Sequence, residues 1–205
     1  MGALSGRMGP LGFFVKSKVE DWQKILDQLT RYRFQELDPA TGAHQSFGWV
    51  QLHDPFGTRF EKPSIFFGEH IVGLGMRVDS ISVPTAQLKL HLTKRVRAKC
   101  EEEGKERLPK AEISLLKEDL QAEMMRRSLP TIKVYELLFH TETGRLWFFG
   151  KSKGVVQTFL DLFYETFGLA MVPDSPYTTA CELLTEEETD MLLEVEQASF
   201  VAEYE

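Results

Sequence analysis

Two short stretches carry residue types suited to phosphate chemistry, and both fall short of a catalytic motif. Gly150-Lys151-Ser152 ends like a nucleotide-binding loop. That motif needs a glycine five positions before its second glycine, so that successive backbone N–H groups wrap the phosphates. Arg145 occupies the position, Gly144 is one residue too early, and Arg145 to Phe149 read as a strand. Nucleotide binding is therefore rejected. Lys151-Ser152-Lys153-Gly154 still places two ammonium groups beside the free amides of a helix start, which suits one backbone phosphate. Ordinary helix-start chemistry is the competing reading. The second stretch is split between Pro173-Asp174 and Glu103-Gly104-Lys105, fragments of a metal-dependent nuclease pattern in reversed order. Such an enzyme needs several carboxylates converging on Mg²⁺, usually with a lysine at the scissile phosphate. Glu103-Gly104-Lys105 falls in a predicted turn between helices, so chance is the better account.

Other catalytic classes find less. The chain has no Gly-x-Ser-x-Gly elbow, and neither Cys100 nor Cys181 has a neighbouring histidine in sequence. His44, His53, His70, His91 and His140 show no metal-ligand spacing. The expectation is a protein with no catalytic residues, no metal and no cofactor. Phe47, Trp49, Phe66, Phe67, Trp147, Phe148 and Phe149 lie in strands with core-like spacing rather than in a base-stacking signature.

Charge points elsewhere. Residues 84–133 hold 12 of the 24 Lys and Arg residues against 8 of the 31 acids, a local net of +4 in a chain of net −7. From Asp174 to Glu205 there are 10 acids and no Lys or Arg, so residues 1–173 carry a net +3. A mildly basic body with an acidic tail suggests a surface for an anion, and the tail either solubilises the chain or competes for that surface. The bland alternative is a solvated helical pair whose cations pair with interleaved acids such as Glu101, Glu102, Glu103, Glu106, Glu112 and Glu118.

The elements that must position these charges can be read from periodicity. Residues 11–19 predict a strand, and Glu20-Asp21 opens a helix to about Tyr32 with Trp22, Ile25, Leu26 and Leu29 on one face. A turn is expected at Asp38-Pro39 and Thr41-Gly42, then a strand at Phe47 to Leu52. Ser64 to Phe67 and Ile71 to Val78 predict a hairpin, with Met76 and Val78 buried and Arg77 and Asp79 wet. Pro84 starts a helix that buries Leu88, Leu92, Val96 and Cys100, ending at Gly104. A second helix runs from Pro109 to Pro130 through Ile113, Leu116, Leu120 and Met124. At 100° per residue Lys94 and Arg97 point away from the stripe, Arg95 lies on its flank, and the stem of Lys99 must snorkel. A hairpin at 133–140 and 145–150 follows, then an apolar helix at 152–167 capped by Gly168 and a short strand at 169–172. Pro173 to Pro176 break the chain, and Thr185 with Glu188 forms a capping box for a helix at 186–196. The class is α+β with a mainly antiparallel sheet. Residues 1–173 form this α+β region, with division into two subdomains near 84–130 left open, and 174–205 form the acidic tail.

No apolar run approaches the ~20 residues of a membrane span, and the N-terminus lacks the pattern of a secretory signal, so the expected compartment is the cytoplasm. Gly6 also stands where a myristoylation motif wants Ser or Thr.

Four stretches, in this order, resemble the recombination-associated protein RdgC family. They are Ser46-Phe47-Gly48-Trp49-Val50; Val83-Pro84; Leu115-Leu116-Lys117-Glu118 through Arg126-Arg127-Ser128-Leu129-Pro130; and Arg145-Leu146-Trp147-Phe148-Phe149 through Phe167-Gly168-Leu169 to Val172-Pro173. The resemblance covers roughly residues 10–175. It implies a sequence-nonspecific DNA-binding protein of the bacterial nucleoid, a ring-like homodimer that modulates strand exchange by the RecA recombinase. Some members carry an exonuclease label, which no residue pattern here supports. Long members continue well past this chain's acidic tail, so a short form is expected and ring closure is not implied. The residues expected to face DNA, chiefly duplex, are Lys94, Arg95, Arg97, Lys99, Lys110, Lys117, Arg126, Arg127, Lys151 and Lys153. The rival expectation is a protein-interaction factor acting on the recombination machinery without touching DNA.

Overall fold

The computed structural model describes residues 9–38 and 43–194, so the turn expected at 39–42 and the tail past 194 lie outside the described residues. In chain order the elements are β1 Leu11–Val15, α1 Trp22–Arg31, β2 Gln45–Gln51, α2 Lys62–Ile65, β3 Ile71–Ser80, α3 Thr85–Glu103 and α4 Lys110–Arg127. They continue with β4 Thr131–His140, β5 Arg145–Phe148, α5 Lys153–Phe167, β6 Met171–Pro173, α6 Pro176–Leu183 and α7 Glu186–Glu194. The fold is α+β. One six-stranded sheet of order β2-β3-β4-β5-β1-β6 is antiparallel throughout, with strands from before and after α3–α4 in the same sheet.

One face of the sheet packs under α1 and α5. Phe159, Phe163 and Phe167 recur every four residues, so they form a single stripe along α5 and are all buried. Phe159 stacks on Phe148 of β5 at 3.9 Å between ring centroids, and Phe163 stacks on Phe167 at 4.3 Å. Trp49 of β2 is fully buried, which obliges its indole N–H to find a partner. It donates to Thr166 Oγ1 at 2.7 Å, and that hydroxyl donates back to the Leu162 carbonyl at 2.7 Å. Asp21 caps α1 by accepting from the N–H groups of Gln23 and Lys24. At the other end of α1, the Tyr32 hydroxyl donates to Glu165 of α5 at 2.6 Å, which raises the phenol's pKa. Gly48 matters for a close approach. A Cβ there would meet the Phe34 backbone at 2.6 Å, where Phe34 N–H bonds to the Trp49 carbonyl and covers the β2 edge.

Three sequence expectations need correction. Ser64 to Phe67 is not a strand: residues 62–65 make a helical turn, because Glu61 and Ser64 cap each other and Pro63 needs no donor there. Only Phe66 keeps a β-bridge, to Val72. Arg77 and Asp79 are not on a wet face; they are 4% and 2% exposed. Their side chains form a two-bonded ion pair (Nε–Oδ1 2.8 Å, Nη2–Oδ2 2.6 Å), and the guanidinium lies between the Phe34 and Phe56 rings. The Asp79 hydrogen bonds hold the arginine charged despite burial, raising its pKa. Finally, the chain does not stay broken after Pro173. Ser175 and Thr178 form a capping box that starts α6, and Thr185 with Glu188 starts α7 as expected.

The stretch between β3 and β4 leaves the sheet. Ser80 and Thr131 face each other in register, so residues 81–130 are a detour from one end of the sheet and back. α3 is 19 residues, roughly 28 Å at 1.5 Å per residue, and α4 returns beside it. The two pack chiefly on each other rather than on the sheet. Gly104 (φ +61°) takes the left-handed conformation that ends α3. The stripe Leu88, Leu92, Val96, Cys100 meets Ile113, Leu116, Leu120, Met124, but only Leu88 and Leu120 are buried. A pair of helices with no third layer can seal no more than that. The result is a helical arm. Among the described residues, no helix is long and apolar enough to cross a membrane.

Candidate nucleic-acid interface

The arm sorts its cations into two populations. Lys94, Arg97, Lys110, Lys117 and Arg126 are exposed and form no ion pair among the described residues. Arg95, Lys99 and Arg127 are tied internally. Arg95 and Arg127 both reach Glu123, the latter at 2.9 Å. The Arg95 hydrogen bond, then its charge, hold the Glu123 carboxyl below the usual range, with Arg127 and His91 adding to the effect. Lys99 Nζ lies 3.9 Å from Glu103 and 3.7 Å from Glu112, and its half-exposed stem crosses the apolar side. Arg95 and Lys99 latch α3 to α4, Arg127 shares Glu123 from one turn along α4, and all three are the weaker candidates for a ligand.

One groove brings part of the set together. His91, Lys94, Arg95 and Ala98 of α3 line it from one side; Leu120, Glu123, Met124, Arg127 and Ser128 close the other. Three cations against one carboxylate give a locally positive cleft near the arm's root. Arg97, Lys110 and Lys117 do not line it. Lys110 and Lys117, seven residues apart, share another face of α4. His91 was missed by sequence reasoning although it lies three and four residues before Lys94 and Arg95, on the same helix face.

Lys151 and Lys153 join the arm's root through sheet topology. β5 runs toward the arm end, since Phe148 pairs with Leu137 and the Phe149 N–H bonds to the Glu136 carbonyl. The next residues therefore emerge beside the first half of β4, where exposed Lys133 (also missed) stands. Ser152 caps α5 without a side-chain hydrogen bond, so the first amides of α5 face outward between two exposed lysines. Lys133, Lys151 and Lys153 thus lie at the sheet end from which Arg126 and Arg127 return.

The acids of the nuclease-like fragments do not converge. Glu103 sits at the arm's tip and binds Lys105 at 2.7 Å, whereas the Asp174 N–H bonds to the Gly12 carbonyl at the sheet edge. Among the described residues no group of three or more His, Cys, Asp or Glu side chains is arranged to hold a metal ion.

A protein-family model described as "Putative exonuclease, RdgC" matches residues 13–197. The chain belongs to the RdgC family. The match takes in the sheet, the arm and both C-terminal helices of this RdgC chain, and the family is linked to recombination. No curated protein matches the chain.

Proposed function

We propose that this RdgC protein binds DNA without sequence preference, through phosphate contacts along the α3–α4 arm and at its root, and that it modulates homologous recombination by occupying DNA rather than cutting it. The observation that carries this reading is the set of exposed, unpaired cations Lys94, Arg97, Lys110, Lys117 and Arg126 on an arm that packs little against the sheet. An arm about 28 Å long spans the rise of roughly eight base pairs, so its cations can meet several phosphates. Charge contacts of this kind release counterions and read no base edges, which accounts for the absence of sequence preference. In the proposed homodimer two arms act on one duplex and multiply the contacts. The proposed location is the nucleoid, and the proposed link to the RecA recombinase runs through the shared DNA. The dispersed carboxylates support the non-catalytic part of the reading.

Titrating labelled duplex and single strand at about 50 mM and 200 mM salt tests the proposal, since six phosphate contacts cost about 10³ in affinity across that range. Absence of binding at low salt ends it. A specific observation favours a second reading, a protein partner: Leu90, Leu115 and Leu129 stand exposed on and just after the arm, Leu129 at 91%. Capture of a recombinase by an arm that binds no DNA would select it. Shortening of end-labelled DNA in Mg²⁺ or Mn²⁺ that copurifies with the protein through every purification step would restore the exonuclease reading.

A further inference from the structure

The groove between α3 and α4 already holds an anion, and it is the protein's own. Glu123 of α4 gives each carboxylate oxygen to a different arginine. Its Oε2 accepts from Arg95 Nη2 of α3, and its Oε1 lies 2.9 Å from Nη2 of Arg127, one turn further along α4. Lys94 and His91 line the same groove, so three permanent cations and an imidazole surround one carboxylate. Two positive charges stay unmatched. Ser128, the other polar residue of the lining, donates its hydroxyl to the Met124 carbonyl, and the rest of the wall is Ala98, Leu120 and Met124. About 510 Å³ is left open beside these cations, ample room for a phosphate with its flanking sugars.

A duplex phosphodiester presents what Glu123 presents: two oxygens sharing one negative charge, the pattern that guanidinium groups bind. Burial decides whether one can replace the other, and a second ion pair of this molecule sets the scale. Arg77 and Asp79 are enclosed beneath the Phe34 and Phe56 rings, and separating them would strand a charge out of water. The side chains of Arg95 and Glu123 are 42% and 35% exposed and that of Arg127 is 79% exposed, so water solvates whatever an exchange releases. Arg95 first, then Arg127 and His91, hold the Glu123 carboxyl ionised below the usual carboxylate range, so the internal anion is in place at neutral pH. The two helices also keep a second tie toward the tip, Lys99 to Glu112 at 3.7 Å.

We infer that Glu123 is a built-in stand-in for a DNA phosphate: in the free chain its carboxylate occupies the seat made by Arg95 and Arg127, and a backbone phosphate of the duplex takes its place on binding. The inference rests on the DNA-binding reading and deepens it. Arg95 and Arg127 become contacts of the bound state alone, and Glu123 sets how much of the arm's charge DNA can use. The exchange also releases the Arg95–Glu123 tie, so the root of the arm loosens on DNA while Lys99 and Glu112 hold the helices nearer the tip.

The test uses the full chain and a duplex closed by a hairpin at each end, which offers phosphodiesters and no terminal phosphate. Glu123→Gln keeps the shape of the side chain and removes its charge; Glu118→Gln makes the same charge change on an exposed position of α4 outside the groove. Glu123→Gln should tighten binding about fivefold at 50 mM salt, against less than about twofold for Glu118→Gln. Adding Arg95→Ala to Glu123→Gln should remove most of that gain and make the logarithmic salt slope shallower by about 0.9, one phosphate contact. A latch with no phosphate role would keep the gain. In the parent chain, the Arg95 and Arg127 Nε–H resonances should shift as duplex is added. An Arg95 resonance that stays in place in the complex overturns the inference, whatever the variants do to the arm. A Glu123→Gln chain no tighter than Glu118→Gln, or one that keeps its gain without Arg95, overturns it as well while the parent's own binding leaves the DNA reading standing. Absence of binding by the parent and by Glu123→Gln alike at 50 mM salt ends the DNA reading, and the exchange falls with it.

Discussion

The sheet with α5 and the arm of α3–α4 use similar lengths of helix for opposite purposes. α5 sinks Phe159, Phe163 and Phe167 into a face already lined by Leu74, Met76, Leu137, Phe139 and Phe148, all buried. The arm buries one leucine per helix and leaves its remaining surface to charge. The same contrast runs through the arginines. Arg77 is locked between two rings and Asp79 and cannot reach a ligand, while Arg97 and Arg126 stand in water. Stability is concentrated where there is no candidate ligand site, and the candidate site is concentrated where little stability is at stake.

The comparison can be broken most directly in the core. Phe159→Ala should cost about 3–5 kcal/mol in urea unfolding, because its ring is stacked and fully enclosed. A loss under about 1 kcal/mol would mean that α5 is not the sheet's main cover. A smaller effect is expected from Leu120→Ala, about 2 kcal/mol, at the low end because this buried leucine is packed by one partner helix rather than by a sheet and helix layer. Its signature is local: hydrogen exchange should quicken in 85–127 while the sheet amides keep their protection. Equal loss in both regions would show that arm and sheet unfold as one unit.

The smallest expected effect on stability is that of Glu123→Gln, and its sign on binding sharpens the contrast. It frees Arg95 and Arg127, so the arm loosens slightly while duplex affinity rises, measured by melting and by titration. The pH dependence follows from the depressed Glu123 carboxyl. Its contribution is present above the ordinary carboxylate value of about 4.3 and is lost as pH falls through the lower folded value, so the latch opens only in acid. No acid loosening of the arm amides in the parent would contradict the pairing.

Much of this was legible in the chain because spacing is local information. The stripes from Leu88 and from Ile113 carry the arm's two buried leucines, and exposed Arg97 lies off the groove between the helices, whereas Lys94 lines that groove opposite Leu120 and Met124. What spacing could not show was the surface a stripe meets. A helix packed on a sheet and a helix packed on one other helix have the same period, so detachment of the arm was hidden. Arg77 read as wet because its cover, Phe34 and Phe56, comes from distant positions in the chain. The Arg95–Glu123 latch spans 28 residues and was hidden for the same reason. Ser64 to Phe67 misled through strand-forming aromatics, while the Glu61–Ser64 capping pair that decides the backbone was overlooked.

The central claim is that the arm's free cations are the phosphate contacts and contribute little to folding. Measuring duplex affinity against salt for the parent and for Lys94→Ala with Arg97→Ala and Arg126→Ala tests it most directly. The account predicts a logarithmic salt slope shallower by about 2.7 in the triple variant, with unfolding free energy changed by no more than about 0.5 kcal/mol per site. An unchanged slope, with affinity equal to the parent's at every salt concentration, would contradict it.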